Sequence, residues 1–413
     1  MARVPALTFM ILSLAAGVSL GGEVVTRDGV PHVLNPAEVP GEPETLRLEE
    51  LWRAGGELDE ETIFGVITQG LTDEDGKVYL LDMQLSQVSV YSPDGERVGT
   101  LSREGEGPGE VRNPTDMLFM HDGTLGIVQM FPGRIIKVTR EDAPAGQILV
   151  GGDDPMTGGF AAVVDARQRA GNLVLAGVNL RPNETGTGQI RDNYLASFGE
   201  DGAEKVRYWA REGSFDFTDF ALVEQDLYTA FPRRWAIGLE GEVYLVPERD
   251  AYRIEVKAAD GELLRVIERA YAPRDRTAQE TRIMRQALEA QGRQFPGEVR
   301  IEIEETEPAI QRIDVATDGT IWVLHADSTH EQPEGVMLTF EVFDPEGHLI
   351  RQVQVACEGN GKEDALIFAG DDCFVLIRGA LAAGLAMHGP VAESDDGEEP
   401  EPVEVIYYRL AKG

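Results

Sequence analysis

Asp73-Glu74-Asp75-Gly76-Lys77-Val78-Tyr79-Leu80-Leu81-Asp82 is the stretch whose reading decides the fold. Its acidic turn ends on Gly76, and such an Xaa-Gly pair supplies the positive φ that a two-residue hairpin needs. A β-rich strand follows the turn. The chain then runs through Val88-Ser89-Val90-Tyr91 to a second tight turn at Ser92-Pro93-Asp94-Gly95. The unit is therefore strand, tight turn, strand, loop, strand, tight turn, strand.

The unit recurs. First turns fall again at Asp122-Gly123, Ala170-Gly171, Glu240-Gly241, Asp318-Gly319 and Asp371-Asp372. Third strands return at Tyr252-Arg253-Ile254-Glu255-Val256 and Thr339-Phe340-Glu341-Val342-Phe343, with closing turns at Asp260-Gly261 and Glu346-Gly347. A four-stranded blade needs roughly 40 to 50 residues. The intervals from Gly171 to Gly241 and from Gly241 to Gly319 are longer, so two units carry insertions. The spacing predicts an all-β chain with six four-stranded blades, a six-bladed β-propeller over 43–413. The last unit lacks a fourth strand after Val405 to Leu410. Thr45 to Trp52 is expected to supply it from the N-terminus, which hides the sheet edges.

Tight turns join first to second strands and mostly third to fourth. The long stretches are Arg181 to Arg191, Glu212 to Ala230, Ala272 to Pro308, Ser328 to Gly335 and Leu381 to Pro402. All are second-to-third or fourth-to-first connections, which this topology puts on one face. One face is thus plain and the other elaborated, and the elaborated face of a repeat protein is often the binding face. Thr277 to Gln291 carries apolar residues at helical spacing and predicts a short helix capping that face.

The chain of 413 residues has 73 acidic and 37 basic side chains, a formal charge of −36. That argues against nucleic acid, whose phosphates need clustered Lys and Arg, and equally against an anionic membrane surface. Arg3 followed by the apolar run Val4 to Leu20 reads as a signal peptide over 1–22, and 23–42 as a flexible lead-in. The expected location is periplasmic or extracellular. Export and an even cysteine count point toward a bond between Cys357 and Cys373. The register points the other way. It separates them by a strand length of roughly 17 to 20 Å, where a disulfide needs Cα atoms within about 7 Å. Two free thiols are therefore expected.

Gly105-Glu106-Gly107-Pro108-Gly109-Glu110-Val111-Arg112-Asn113-Pro114 resembles the loop that begins an NHL repeat. Phe231 to Gly238 with Tyr252-Arg253-Ile254, and Thr320 to Val323 with Phe343-Asp344, resemble exported bacterial six-bladed β-propellers. The resemblance implies fold and compartment, and no activity.

Candidate site residues follow from the register. Inner-strand entrances fall near Phe64, Asp116, Phe160, Arg233, Gln311 and Asp364. Calcium-dependent lactonases of similar architecture place carboxylate and Asn ligands there. Two carboxylates among Arg and aromatic residues make no obvious cage, so no cofactor is expected, with an axial calcium ion as the alternative. Arg233-Arg234-Trp235 has the chemistry to grip a carboxylate or a sugar, although the plainer reading, which is preferred, pairs the Arg with the many acids and puts the Trp in the core. His325, His330 and His388 fall on the elaborated face, where a zinc lyase would need three converging His. Gly17 to Gly21 spells a nucleophile elbow inside the apolar N-terminal run and is set aside. Asp73 to Gly76 lacks the later bidentate Glu of an EF-hand. The acidic run Glu393 to Glu401 reads as a solvated loop. The expected function is non-enzymatic binding of a protein, peptide or glycan on the elaborated face; the alternative is a metal-dependent hydrolase or lyase at the channel mouth.

Overall fold

The computed structural model describes residues 22–57, 59, 61–150, 160–229, 233–293, 295, 299–387 and 401–411. The expected signal peptide, except Gly22, lies outside the described residues, as do His388 and most of the acidic run.

The chain is mostly β. It opens with β1 (Glu23–Arg27), β2 (Val30–Asn35) and β3 (Glu44–Gly55). Four antiparallel strands follow as one sheet: β4 (Ile67–Thr72), β5 (Val78–Asp82), β6 (Gln87–Tyr91) and β7 (Arg97–Leu101). The next sheet holds β8 (Pro114–Phe119), β9 (Leu125–Gln129), β10 (Arg134–Val138) and β11 (Pro144–Leu149). A third holds β12 (Phe160–Arg169), β13 (Asn172–Pro182), β14 (Gly188–Phe198) and β15 (Glu204–Asp216). After β16 (Ala221–Val223) and α1 (Glu224–Leu227) come β17 (Trp235–Ile237), β18 (Val243–Leu245), β19 (Arg253–Lys257) and β20 (Leu263–Arg269). Helix α2 (Ala278–Gly292) and β21 (Arg300–Glu302) precede β22 (Ile310–Val315), β23 (Ile321–His325), β24 (Leu338–Phe343) and β25 (Leu349–Ala356). The chain closes with β26 (Ala365–Phe368), β27 (Cys373–Arg378), α3 (Ala380–Ala386) and β28 (Glu404–Leu410).

The turns are where the Xaa-Gly pairs place them. Gly76, Gly123, Gly171, Gly241 and Gly319 all have φ between 77° and 88°. At Gly95 an added Cβ would come within 2.7 Å of the Trp52 side chain, so this turn needs Gly twice over, for its φ and for the indole packed on it.

Strands buried on both faces explain the apolar runs. Val78 and Leu80 point into one apolar cluster, while Tyr79 and Leu81 point into the next. The described residues form six such clusters: five lie between neighbouring sheets, one lies between the β22–β25 and β26–β28 halves of a single sheet, and the cluster around Trp52 joins the last strands back to the first sheet. First strands touch in the same order: β4 with β8, β8 with β12, β12 with β17, β17 with β22, and β26 with β4. Arg312 on β22 donates through Nη1 to the carbonyl of Leu366 on β26 and links the remaining pair.

The N-terminal strand serves two neighbours. Leu48 to Gly55 pair antiparallel with β28, Trp52 opposite Tyr407. Glu44 to Arg47 instead lie parallel to β25, Leu46 opposite Val355. Together they make an eight-stranded sheet in which β3 joins β25 to β28. The first half of 23–42 is ordered rather than flexible. Asp28 and Gly29, both at positive φ, turn β1 into β2, and β2 adds parallel to β20. The stretch 181–191 is largely strand as well. β13 and β14 pair with each other up to a turn at Asn183 to Thr187, and β15 runs beside β14 as far as Gly188.

Helix α2 begins at Thr277 with a reciprocal capping box: Glu280 N donates to Thr277 Oγ1, and Thr277 N to Glu280 Oε2. Cys357 and Cys373 are both free thiols.

Candidate functional site

Pairing between first and second strands slips by one residue in four sheets. The slips fall between Ile67 and Gln69, Pro114 and Asp116, Val163 and Asp165, and Ile310 and Arg312. A β-bulge re-aims the side chain beside it. Here the re-aimed residues are Gln69, Asp116, Asp165 and Arg312, polar groups on strands that are otherwise rich in apolar side chains.

These groups join into a belt running from sheet to sheet. Gln69 Nε2 donates to Asp116 Oδ1 at 2.9 Å, and the backbone N–H of Met117 donates to the same oxygen at 2.9 Å. The N–H of Ala166 donates to Asp116 Oδ2 at 3.0 Å. The indole of Trp235, fully buried, donates to Asp165 Oδ2 at 2.9 Å. Arg167 lies two residues beyond Asp165 and therefore on the same face of β12. Its Nη1 donates to the Trp235 carbonyl at 2.8 Å and its guanidinium stacks 4.8 Å from the indole ring. Arg312 pairs through Nε with Asp314 and lies 4.9 Å over the Phe368 ring.

The electrostatics are uneven. Burial, and then the neighbouring Asp165 carboxylate, push the Asp116 carboxyl well above the usual range; the bonds from Ala166 and Gln69 oppose this only in part. Arg233 stands just before β17 at positive φ. Burial pulls its guanidinium down to about 10, with Arg312 and Arg167 adding like charge and Asp314 and Asp165 opposing. At neutral pH it remains a cation. Its side chain is half-buried.

The structure brings three of the sequence-derived residues together at this belt: Asp116, Arg233 and Trp235. Gln311 is the bulged residue beside Arg312. Arg234 turns elsewhere: its Nε donates to the Thr229 carbonyl at 3.0 Å and its guanidinium lies 4.4 Å from the Tyr228 ring. Phe64 packs in the apolar cluster beside β3, 6.5 Å from the Tyr91 ring. Asp364 caps a loop, accepting from the N–H groups of Asn360 and Gly379 at 2.8 Å each. Phe160 stacks on Phe131 at 5.5 Å. His325 is buried against Glu341 at 3.3 Å, whereas His330 lies beside Glu331 at 3.7 Å. Among the described residues no group of three or more His, Cys, Asp or Glu has the arrangement to hold a metal ion.

Sequence reasoning missed Gln69, Asp165, Arg167, Arg312 and Asp314. A signal was present for four of them. Asp165-Arg167 and Arg312-Asp314 put charge at alternate positions shortly before an Xaa-Gly turn, where a first strand ought to be apolar.

No family model and no curated protein sequence matches the chain. Among solved structures it is similar to a candidate exported protein of Bacteroides fragilis, at 12% identity and a TM-score of 0.49, over 92% of this chain and 100% of that one. A DUF4221-family protein of Bacteroides vulgatus is similar at 11% identity and a TM-score of 0.49, over 90% and 100%. The calcium-binding protein regucalcin of Agrobacterium tumefaciens is similar at 11% identity and a TM-score of 0.43, over 90% and 98%.

Proposed function

We infer that this chain is a six-bladed β-propeller whose last blade is completed by β3, and that it is an exported protein that binds a protein, peptide or glycan on its loop-rich face without catalysing a reaction. The cycle of apolar clusters supports the blade count. The apolar stretch Val4 to Leu20 behind Arg3 supports export to the periplasm or the cell exterior. One observation carries the binding reading: the two faces are unequal. The connections between first and second strands are short turns, whereas β16, α1, α2, β21 and α3 all lie in the opposite set of connections. Arg233 precedes β17 and so stands at that end of the axis.

A second reading, a hydrolase or lyase at the channel mouth, is favoured by the buried Asp116–Asp165 pair, since a carboxyl held above its ordinary range beside a second carboxylate suits proton transfer. Metal analysis of the purified protein with a lactonase and esterase screen separates the two, run beside peptide and glycan arrays. The binding reading expects an array ligand and no turnover. Turnover that disappears in Asp165→Asn overturns it.

A further inference from the structure

We propose that the loop-rich end of the axis is a binding site for a small oxyanionic group, a carboxylate or a phosphate, held by Arg233, Arg167 and Arg312. The proposal deepens the binding reading, and rests on it, by naming the chemistry that the face recognises at its centre.

Three observations carry it. The first is the donor inventory. A guanidinium offers five N–H donors in a planar fork. Among the described residues the Arg233 side chain makes no hydrogen bond and no ion pair, so its whole fork is unused. Arg167 spends Nη1 on the Trp235 carbonyl and faces Asp165 only at 4.0 Å. Arg312 spends Nε on Asp314 and Nη1 on Leu366. Each keeps Nη2 without a described partner.

The second is the contrast with other buried arginines. Arg249, Arg276, Arg269 and Arg274 each bind a carboxylate within 3.0 Å. In a chain of charge −36, acids are plentiful, yet half-buried Arg233 has none within ion-pair distance among the described residues. Like charges gathered together disfavour one another unless an anion joins them.

The third is the local charge. Arg167, Arg233 and Arg312 face Asp165 and Asp314, while Asp116 keeps its proton to higher pH than a free carboxyl. Three guanidiniums thus face two of the three nearby carboxyls, and burial disfavours ionisation of the third. An Arg fork matches a carboxylate or phosphate bidentately, and surrounding protein of low dielectric strengthens the contact.

The test is calorimetric titration of the intact protein with succinate and, separately, with inorganic phosphate. Ionic strength is held constant with sodium chloride, because screening alone stabilises so acidic a chain. The expected result is saturable binding of one probe at a single site. Binding should weaken by at least about tenfold, which is about 1.4 kcal/mol, in Arg233→Gln, and recover in part in Arg233→Lys. The arm that binds identifies the anion class. Absence of saturable binding by either probe up to tens of millimolar, or equal binding by wild type and Arg233→Gln, overturns the proposal. If Arg233→Gln does not fold, Arg312→Gln is read in its place by the same criterion. Array ligands that bind while both anions fail would sink this site alone; turnover that needs Asp165 would sink the binding reading beneath it.

Discussion

Two clusters of buried charge in this molecule use the same residue types and arrange them oppositely. In the clamp beneath the insertions, Glu224 accepts from Arg249 Nη2 at 2.9 Å, from Arg276 Nη1 and Nη2 at 2.6 and 2.7 Å, and from the N–H of Glu304 at 3.0 Å. Arg276 Nε donates to Glu307 at 2.8 Å, and Arg249 Nη1 to Asp250 at 2.6 Å. Acids and bases alternate, and α1, the approach to β22 and the chain before α2 are tied together. At the axis, acid stands beside acid and Arg beside Arg, and among the described residues a complete guanidinium fork has no partner. Paired charge of the first kind fixes a structure. Charge sorted by sign is organised for something that arrives from outside.

The comparison breaks most readily at Glu224. Glu224→Ala removes the carboxylate shared by two guanidiniums whose side chains are each 1% exposed, leaving Arg276 with Glu307 and Arg249 with Asp250. Breaking a buried ion pair in this way costs about 3–5 kcal/mol. The urea midpoint should fall accordingly, and a shift no larger than a surface substitution gives would show that the clamp is not structural. Removal of an axial charge should behave differently. Asp116→Asn removes a carboxyl whose ionised form is disfavoured by burial and by Asp165, and should be neutral or stabilising at pH 7.

A somewhat smaller loss is expected where the axis does depend on a partner. Trp235→Phe keeps most of the buried ring and deletes the donor to Asp165 Oδ2, leaving a carboxylate with less support. Hydrogen bonds to charged groups are worth about 1.5–3 kcal/mol. Chemical denaturation should show a loss in that range, and little of it should remain when Trp235→Phe is made on Asp165→Asn.

The two clusters should also respond to pH with opposite signs, with a slope of at most about 1.4 kcal/mol per pH unit for each proton. The folded-state pKa of Asp116 is raised, so the folded protein holds more protons there than the unfolded chain. Its contribution is present below the unfolded value of 3.8 and is lost as pH rises through the folded one. At Glu224, burial favours the neutral form, but the bonds from Arg276 and Arg249 override it and hold the carboxyl below its ordinary 4.5. That contribution is present above 4.5 and is lost as pH falls. Stability profiles of wild type minus Asp116→Asn and of wild type minus Glu224→Gln should therefore slope in opposite directions, and parallel slopes would contradict the contrast.

How much of this could be read from the sequence depends on whether the cause is local. The turns at Gly76 and its counterparts are written in two residues, and helix α2 in its apolar spacing and its Thr277–Glu280 box. The hairpin at Asp28-Gly29 carried the same kind of signal inside a segment read as a lead-in. The continuation of β13 and β14 was harder to see, because residues Val178 to Asn193 are mostly half-exposed on both faces and alternate weakly. The axial belt was least legible. Nothing in Ile67-Thr68-Gln69 or Val163-Val164-Asp165 marks the middle residue as the extra one. The bulge is set by pairing with the next strand, and it decides which side chain faces the axis.

The smallest effect sharpens the comparison from the side of the insertions. Thr277 caps α2, and Arg274 holds Glu280 of the same box through Nη1 at 2.9 Å and Nη2 at 3.1 Å. Arg276, two residues further on, is the centre of the clamp. The cap and the clamp are therefore consecutive fastenings on one piece of chain. Thr277→Ala removes a side-chain acceptor from the first turn, which costs about 1 kcal/mol. Because the clamp still pins the chain at Arg276, the loss should be confined to α2: amide exchange in 278–285 should accelerate, while exchange in β17 to β20 and the binding of any axial anion should be unchanged. If Thr277→Ala instead loosened the whole elaborated face as far as Arg233, the insertions and the axis would be one cooperative unit, and the division between a fixed clamp and a receptive axis would not hold.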